Sequence, residues 1–330
     1  MKRNKITRRR FLKNSAIAGA AVSLSSTWMC SSEKSPFNAK GLPTRMLGKT
    51  GIKVPLMTIG TGSRFMSAES DDVRMEILTH GLDHGLFYWD TAAIYKQQDS
   101  DHYSEELLGK ILKDRREEVF LATKVSDRDP ELVKQTIENS LTRMQTDYID
   151  LYQVHSIESV EDAKNIGATG GLLEVLHKYK SEGVIRHIGF TGHRSAEGME
   201  YAAGSYDFET MIIAMNHWTQ WEGDPEKQSI PAAAENGLGI IAMKVIRPMD
   251  TIDNLDPEKL IRYALSIKNI STAVIGIDSL DVLKMNIEII KNFEPLPADE
   301  MAEMRMALTP YYQHEGLDWM KPGYVDGYHA

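Results

Sequence analysis

Hydrophobic and polar positions along this chain alternate between two rhythms. Short apolar runs recur near 57–61, 87–91, 119–125, 148–155, 185–191, 210–216, 239–245 and 271–276. Such continuous runs mark strands buried on both faces of a sheet. Between several of them apolar residues step by three and four, as in Ser104–Leu112, Pro130–Met144, Gly171–Lys180, Pro257–Ile267 and Ser279–Ile290. That spacing predicts amphipathic helices. Eight strand–helix units predict an α/β fold, a (β/α)8 TIM barrel. A doubly wound open sheet fits less well, because Ile59-Gly60-Thr61-Gly62-Ser63 lacks the third glycine of a dinucleotide-binding turn.

Outside the repeating units, Arg45 to Val54 carries strand signals on both sides of a glycine-bearing turn, which predicts an entry hairpin. A last amphipathic helix over about 298–308 leads into an irregular tail, 309–330. No repeat or linker divides the chain after residue 42, so residues 44–330 are expected to form one barrel domain with its tail.

Charge sets the first thirty residues apart. They hold seven of the 38 Lys and Arg and no Asp or Glu, which leaves 31 cations against 47 carboxylates, a formal charge of −16. A body of that sign repels nucleic acid, and no nucleic-acid partner is expected. The basic start precedes a short apolar stretch from Ala16 to Leu24, the layout of a removable signal peptide over 1–30. Thr7-Arg8-Arg9-Arg10-Phe11-Leu12-Lys13 matches the twin-arginine consensus, which makes the export machinery a partner and the location periplasmic or the outer cell surface. Cys30 is the one cysteine, so no internal disulfide, Cys-ligated zinc or iron–sulfur cluster is expected, and no metal. Two readings are open there: a lipid on Cys30 that attaches the protein to a membrane, or cleavage near Ala18-Gly19-Ala20-Ala21. Residues 31–43 read as a tether.

Ionisable residues sit at the ends of successive predicted strands. Asp90 ends one, Lys124 and His155 lie at or near the ends of the next two, and Tyr95 follows Asp90 by five residues. Reactive groups of a barrel gather at the carboxyl ends of several strands. Reduction of a carbonyl needs hydride at carbon and a proton at oxygen. A tyrosine is a reluctant acid or base near neutrality, and an adjacent ammonium held by a carboxylate favours its ionised form. A histidine can orient the carbonyl oxygen.

This quartet resembles the catalytic tetrad of the aldo-keto reductases. Further matches are Arg45-Met46-Leu47-Gly48-Lys49-Thr50-Gly51, Tyr103 to Gly109, Ile185 to His193 and Gly239 to Lys244, so the resemblance spans about 44–292. It implies a nicotinamide cofactor and a carbonyl or alcohol substrate. Tyr95 would then be the proton donor or acceptor, tuned by Lys124 and Asp90, with His155 orienting the oxygen. It also implies cofactor contacts at Thr191, Asn216, Met243, Lys244, Gly276, Asp278, Ser279 and Asn286.

The chain departs from the family pattern in places. Gly192 and Ile212 stand where the family has polar groups for the nicotinamide, and Met243 where it has a stacking aromatic. Asp278 occupies a position where members that bind the 2′-phosphate carry arginine, which leans the expectation from NADP towards NAD; Lys284 could still reach such a phosphate. The tail places Tyr311, Tyr312, Trp319, Tyr324 and Tyr328 among carboxylates, a composition suited to a sugar-like substrate. A non-catalytic barrel of reductase ancestry that binds a nucleotide or ligand is the alternative.

Overall fold

The computed structural model describes residues 37–97, 100–193, 195–215, 224–250 and 252–312. The signal region with Cys30, residues 31–36 of the tether, Asn216 and the tail beyond 312 lie outside the described residues. Strands β1 (Thr44–Met46) and β2 (Lys53–Pro55) form the expected antiparallel hairpin. Eight parallel strands follow: β3 (Met57–Gly60), β4 (Tyr88–Asp90), β5 (Phe120–Val125), β6 (Ile149–Ile157), β7 (Ile185–Gly192), β8 (Thr210–Ala214), β9 (Gly239–Met243) and β10 (Ile270–Gly276). They close in chain order, with β10 pairing back onto β3, into the (β/α)8 barrel. Nearly every strand residue is buried, as parallel strands between a packed interior and a helical shell must be.

Helix starts follow the capping rules. Asp129 and Asp256 each precede a proline and accept backbone N–H bonds, starting Pro130–Arg143 and Pro257–Ser266. Ser70, Ser159, Ser195 and Ser279 cap four further helices. The helix Asp71–Asp83 has no clean apolar stripe because Arg74 sits on its inner face. The Arg74 guanidinium is buried and donates to the carbonyls of Phe65 and Ala68 at 3.2 and 2.7 Å and to that of Met66.

The hairpin closes the amino-terminal end of the barrel. Gly48 has φ 51°, and a Cβ there would lie 2.0 Å from the Gly239 nitrogen at the start of β9. Only glycine permits that approach. Arg45 reaches across to the carbonyls of Leu265 and Ile270, both at 2.8 Å. Residues 37–43, expected in the tether, pack on the barrel: Phe37 stacks on Phe87 at 5.2 Å and meets Phe120 edge-on at 5.7 Å. An aromatic contact of that kind is incompatible with a solvated spacer.

Buried charge is also organised at this end. Asp150 accepts from Arg116 and Arg186, each at 2.7 Å, and from the Leu121 N–H. Glu209 accepts from His187 at 2.6 Å, Lys180 at 2.7 Å and the Ile188 N–H at 2.9 Å. Burial alone would raise the Glu209 carboxyl, but these donors outweigh it and hold it at about 2. A carboxyl lower in the folded chain than in the unfolded one stabilises above its unfolded value and loses that contribution as pH falls through its folded value. That contribution is fully present at neutral pH. Glu209→Gln should therefore lower the urea midpoint at pH 7, and the gap from the parent should close between about pH 4.5 and 2. Urea melts across that range test this; a constant gap would refute it.

Candidate active site

Asp90, Tyr95, Lys124 and His155 converge at the carboxyl end of the barrel. Asp90 ends β4 and pairs in register with Ala122 of β5, so Lys124, two residues on, shares the face of Ala122. Lys124 is 2% exposed. Its Nζ donates to Asp90 Oδ2 at 2.5 Å, to the Thr91 carbonyl at 2.8 Å and to the Tyr95 hydroxyl at 3.4 Å. A buried ammonium is tolerated only when its protons find partners. Here three are in place.

Tyr95 lies in the loop between β4 and the helix Ser104–Arg115. The Ser104 N–H donates to the Tyr95 carbonyl at 2.9 Å, and Lys96 bridges Tyr103, so the loop folds back on itself just beyond the tyrosine. Two neighbours tie it down. Arg143 donates to the Ala93 carbonyl at 3.1 Å, and His102 Nε2 bonds Asp71 at 2.9 Å. Behind the loop Glu105 is fully buried, and burial pushes its carboxyl up although Thr123 and Arg143 bond it.

His155 stands edge-on to Tyr95, with ring centroids 6.0 Å apart at 76°. Ser126 shares a hydrogen bond with its Nδ1 at 3.1 Å. The register of β6 against β7 shifts between Val154 and Ile157, and Ser156 there has φ 54°. Arg128 clamps this bulge by donating to the carbonyls of His155 and Ser156, both at 2.9 Å. Its charge is met by Asp162, which hydrogen bonds hold below its usual range despite burial. The bulge thus fixes the direction of the His155 ring.

A cleft open to solvent lies beside Tyr95 and Lys124. Gly60, Gly62 and Gly276 contribute backbone to its wall, Ile212 and Met243 an apolar surface, and Arg64, Lys244 and Arg247 positive charge. A Cβ on Gly62 would press on the Tyr95 ring at 3.2 Å, and one on Gly276 would lie 2.8 Å from Arg64 Cβ. Bare backbone, an apolar face and cations in one cleft fit a flat ring joined to phosphates.

The remaining expected contacts divide. Met243, Lys244 and Gly276 line the cleft. Thr191 is buried, and its hydroxyl accepts the Ser156 N–H at 2.9 Å within the bulge. Ser279 caps the helix Leu280–Lys291, in which Asn286 is buried. Lys284 is exposed on that helix. At Gly192, Met199 fills the space a side chain would need, its sulfur 2.5 Å from the position of a Cβ. A lone carboxylate at Asp278 would repel a 2′-phosphate. Arg64 Nη1 lies 3.3 Å from Asp278 Oδ2, so the pair is neutral and that ground for preferring NAD falls away.

Sequence reasoning missed Gln153, Ser126, Arg128 and Arg64. Each acts through a partner at least 27 positions away in the chain, and none has a local pattern to single it out.

Comparison with known proteins agrees with this geometry. The profile of the aldo/keto reductase family matches residues 56–248. The uncharacterized oxidoreductase YqkF of Bacillus subtilis (strain 168) is 30% identical over 210 residues, covering 60% of this chain and 63% of that protein, so this chain spans under two thirds of that relative. L-galactose dehydrogenase of Arabidopsis thaliana is 25% identical over 318 residues, covering 83% of this chain and 96% of that one. Among solved structures, aldo-keto reductase AKR11C1 from Bacillus halodurans in its holo form matches with a TM-score of 0.65 and 22% identity, covering 81% of this chain and 96% of that one. That likeness shows the shared barrel. Matched by the profile over more than half its length, the chain belongs to the aldo/keto reductase family.

Proposed function

We propose that the protein is an exported oxidoreductase that exchanges hydride between a nicotinamide cofactor and a carbonyl or alcohol of a sugar-like substrate. The observation that carries the reading is the chain of contacts from Asp90 through Lys124 to the Tyr95 hydroxyl, beside a cleft suited to a dinucleotide. Met243 and Ile212 would face the nicotinamide, and Arg64, Lys244 and Arg247 the phosphates. The cofactor supplies or accepts the hydride. In reduction, Tyr95 gives its proton to the carbonyl oxygen, and Lys124 stabilises the negative charge left on the phenolic oxygen. Asp90 keeps the ammonium charged and in place, and His155 donates a hydrogen bond to the carbonyl oxygen. In oxidation the same groups run in reverse, with Tyr95 receiving the proton.

Four features support the finer parts of this reading. The tail's aromatic and acidic residues, and the name of the Arabidopsis thaliana relative, support a polyhydroxylated substrate. Arg8 and Arg9 support export of the folded protein with its cofactor already bound. The Arg64–Asp278 pair lets the adenosine end accept a 2′-phosphate that a lone carboxylate would reject.

Tyr95→Phe should lower carbonyl turnover by about 10²–10⁴-fold and leave cofactor affinity nearly unchanged. Turnover within a few-fold of the parent would remove Tyr95 from its role and favour the ligand-binding barrel. Arg64→Ala exposes the Asp278 charge to a 2′-phosphate. Two charges about 4 Å apart interact by about 4 kcal/mol at a dielectric of about 20. Solvent cuts this at so exposed a pair to about 1 kcal/mol. The variant should then lose about fivefold more affinity for NADPH than for NADH in fluorescence titrations; equal losses would count against the pair as a selector. Replacing Arg8 and Arg9 by lysine should keep the protein in the cytoplasm, and fractionation that still finds it outside would exclude the twin-arginine route. Palmitate labelling abolished by Cys30→Ala would identify the anchor.

A further inference from the structure

Gln153 is the buried polar side chain nearest the reactive chain that the mechanism above does not use. It lies on β6 in register with Lys124 and has no exposed surface. Its Nε2 donates to Asp90 Oδ1 at 3.0 Å, while Lys124 occupies Asp90 Oδ2 at 2.5 Å. The amide orientation follows from chemistry, since an ionised carboxylate only accepts. The other amide atom, Oε1, has no hydrogen-bond partner among the described residues. The amide is half-satisfied, and what it does satisfy is the one Asp90 oxygen that Lys124 leaves open.

We infer that Gln153 is a positioning residue for proton transfer, holding the Asp90 carboxylate by its second oxygen so that Lys124 stays directed at the Tyr95 hydroxyl. A carboxylate held at one oxygen can turn about its terminal torsion, which is broad and soft. Held at both, its plane is fixed, and the ammonium bonded to it is fixed too. This rests on the assignment of Tyr95 as the proton donor. The ionisable groups around the pair are Lys124 on β5, Tyr88 on β4, His155 on β6 and Tyr95 in the loop. Burial, and then the charge of Asp90, raise the Tyr88 hydroxyl well above its ordinary range, so it remains neutral.

Two variants test the inference alongside the parent and Tyr95→Phe, on the full chain with a simple aldehyde and NADPH. Gln153→Met should lower kcat about 10- to 100-fold, the scale of a misplaced catalytic group, with KM and NADPH fluorescence titrations within twofold of the parent. Gln153→Glu puts a second carboxyl against Asp90. At high pH the two anions repel, and kcat relative to the parent should be lowest. At low pH the introduced carboxyl is protonated and donates to Asp90 as the amide did, so the ratio should recover. Thermal melts at each pH separate this from unfolding. A Met variant within twofold of the parent in kcat overturns the inference, and so does a Glu variant with a pH-independent ratio to the parent. If Gln153→Met does not fold, the pH ratio of Gln153→Glu alone decides. A parent without turnover, or a fully active Tyr95→Phe, would instead refute the reading of the site itself.

Discussion

The burial of one ammonium constrains the carboxyl end of this barrel. Lys124 carries its charge where water is nearly absent, and breaking such a pair typically costs about 3–5 kcal/mol. Asp90 must therefore end its strand where it does, and β4, β5 and β6 must keep their register. The same constraint draws in the Thr91 carbonyl and the Tyr95 hydroxyl, because an ammonium has three protons to place. Chemistry and folding share this contact. A chain that failed to assemble the site would also leave an unpaired charge in its core.

Charge at the opposite end of the barrel has another character. Asp150 with Arg116 and Arg186, and Glu209 with His187 and Lys180, tie strands to helices and lie away from the cleft. Tyr148 is sandwiched between the two guanidiniums, 3.8 and 4.0 Å from its ring centre. These networks join neighbouring units where the hairpin also packs. In barrels of this kind the amino-terminal face serves stability and the carboxyl face reactivity, and the two sets of buried charge follow that division.

Much of this was legible in the sequence because it is written in local terms. Each of the eight predicted barrel strands appears, within a few residues at its ends, and the four strand-end residues meet. A buried strand advertises itself by an apolar run, and a lysine in such a run stands out. The helix Asp71–Asp83 did not, since a buried arginine interrupts its inner face. The Arg64–Asp278 pair spans 214 positions, and nothing near either residue announces the other. Phe37 looked like part of a spacer because one aromatic among polar neighbours has no periodicity to read.

The bulge at Ser156 has a consequence for remodelling the rim. The His155 and Ser156 carbonyls are held by the Arg128 guanidinium from the previous connecting loop, and that guanidinium is balanced by Asp162 in the short helix Val160–Ile166 that follows. Loops on the working face of a barrel are often treated as interchangeable cassettes. Here the segments 126–128 and 155–162 form one transplantable unit: grafting either alone would leave a charged half behind and release the His155 ring.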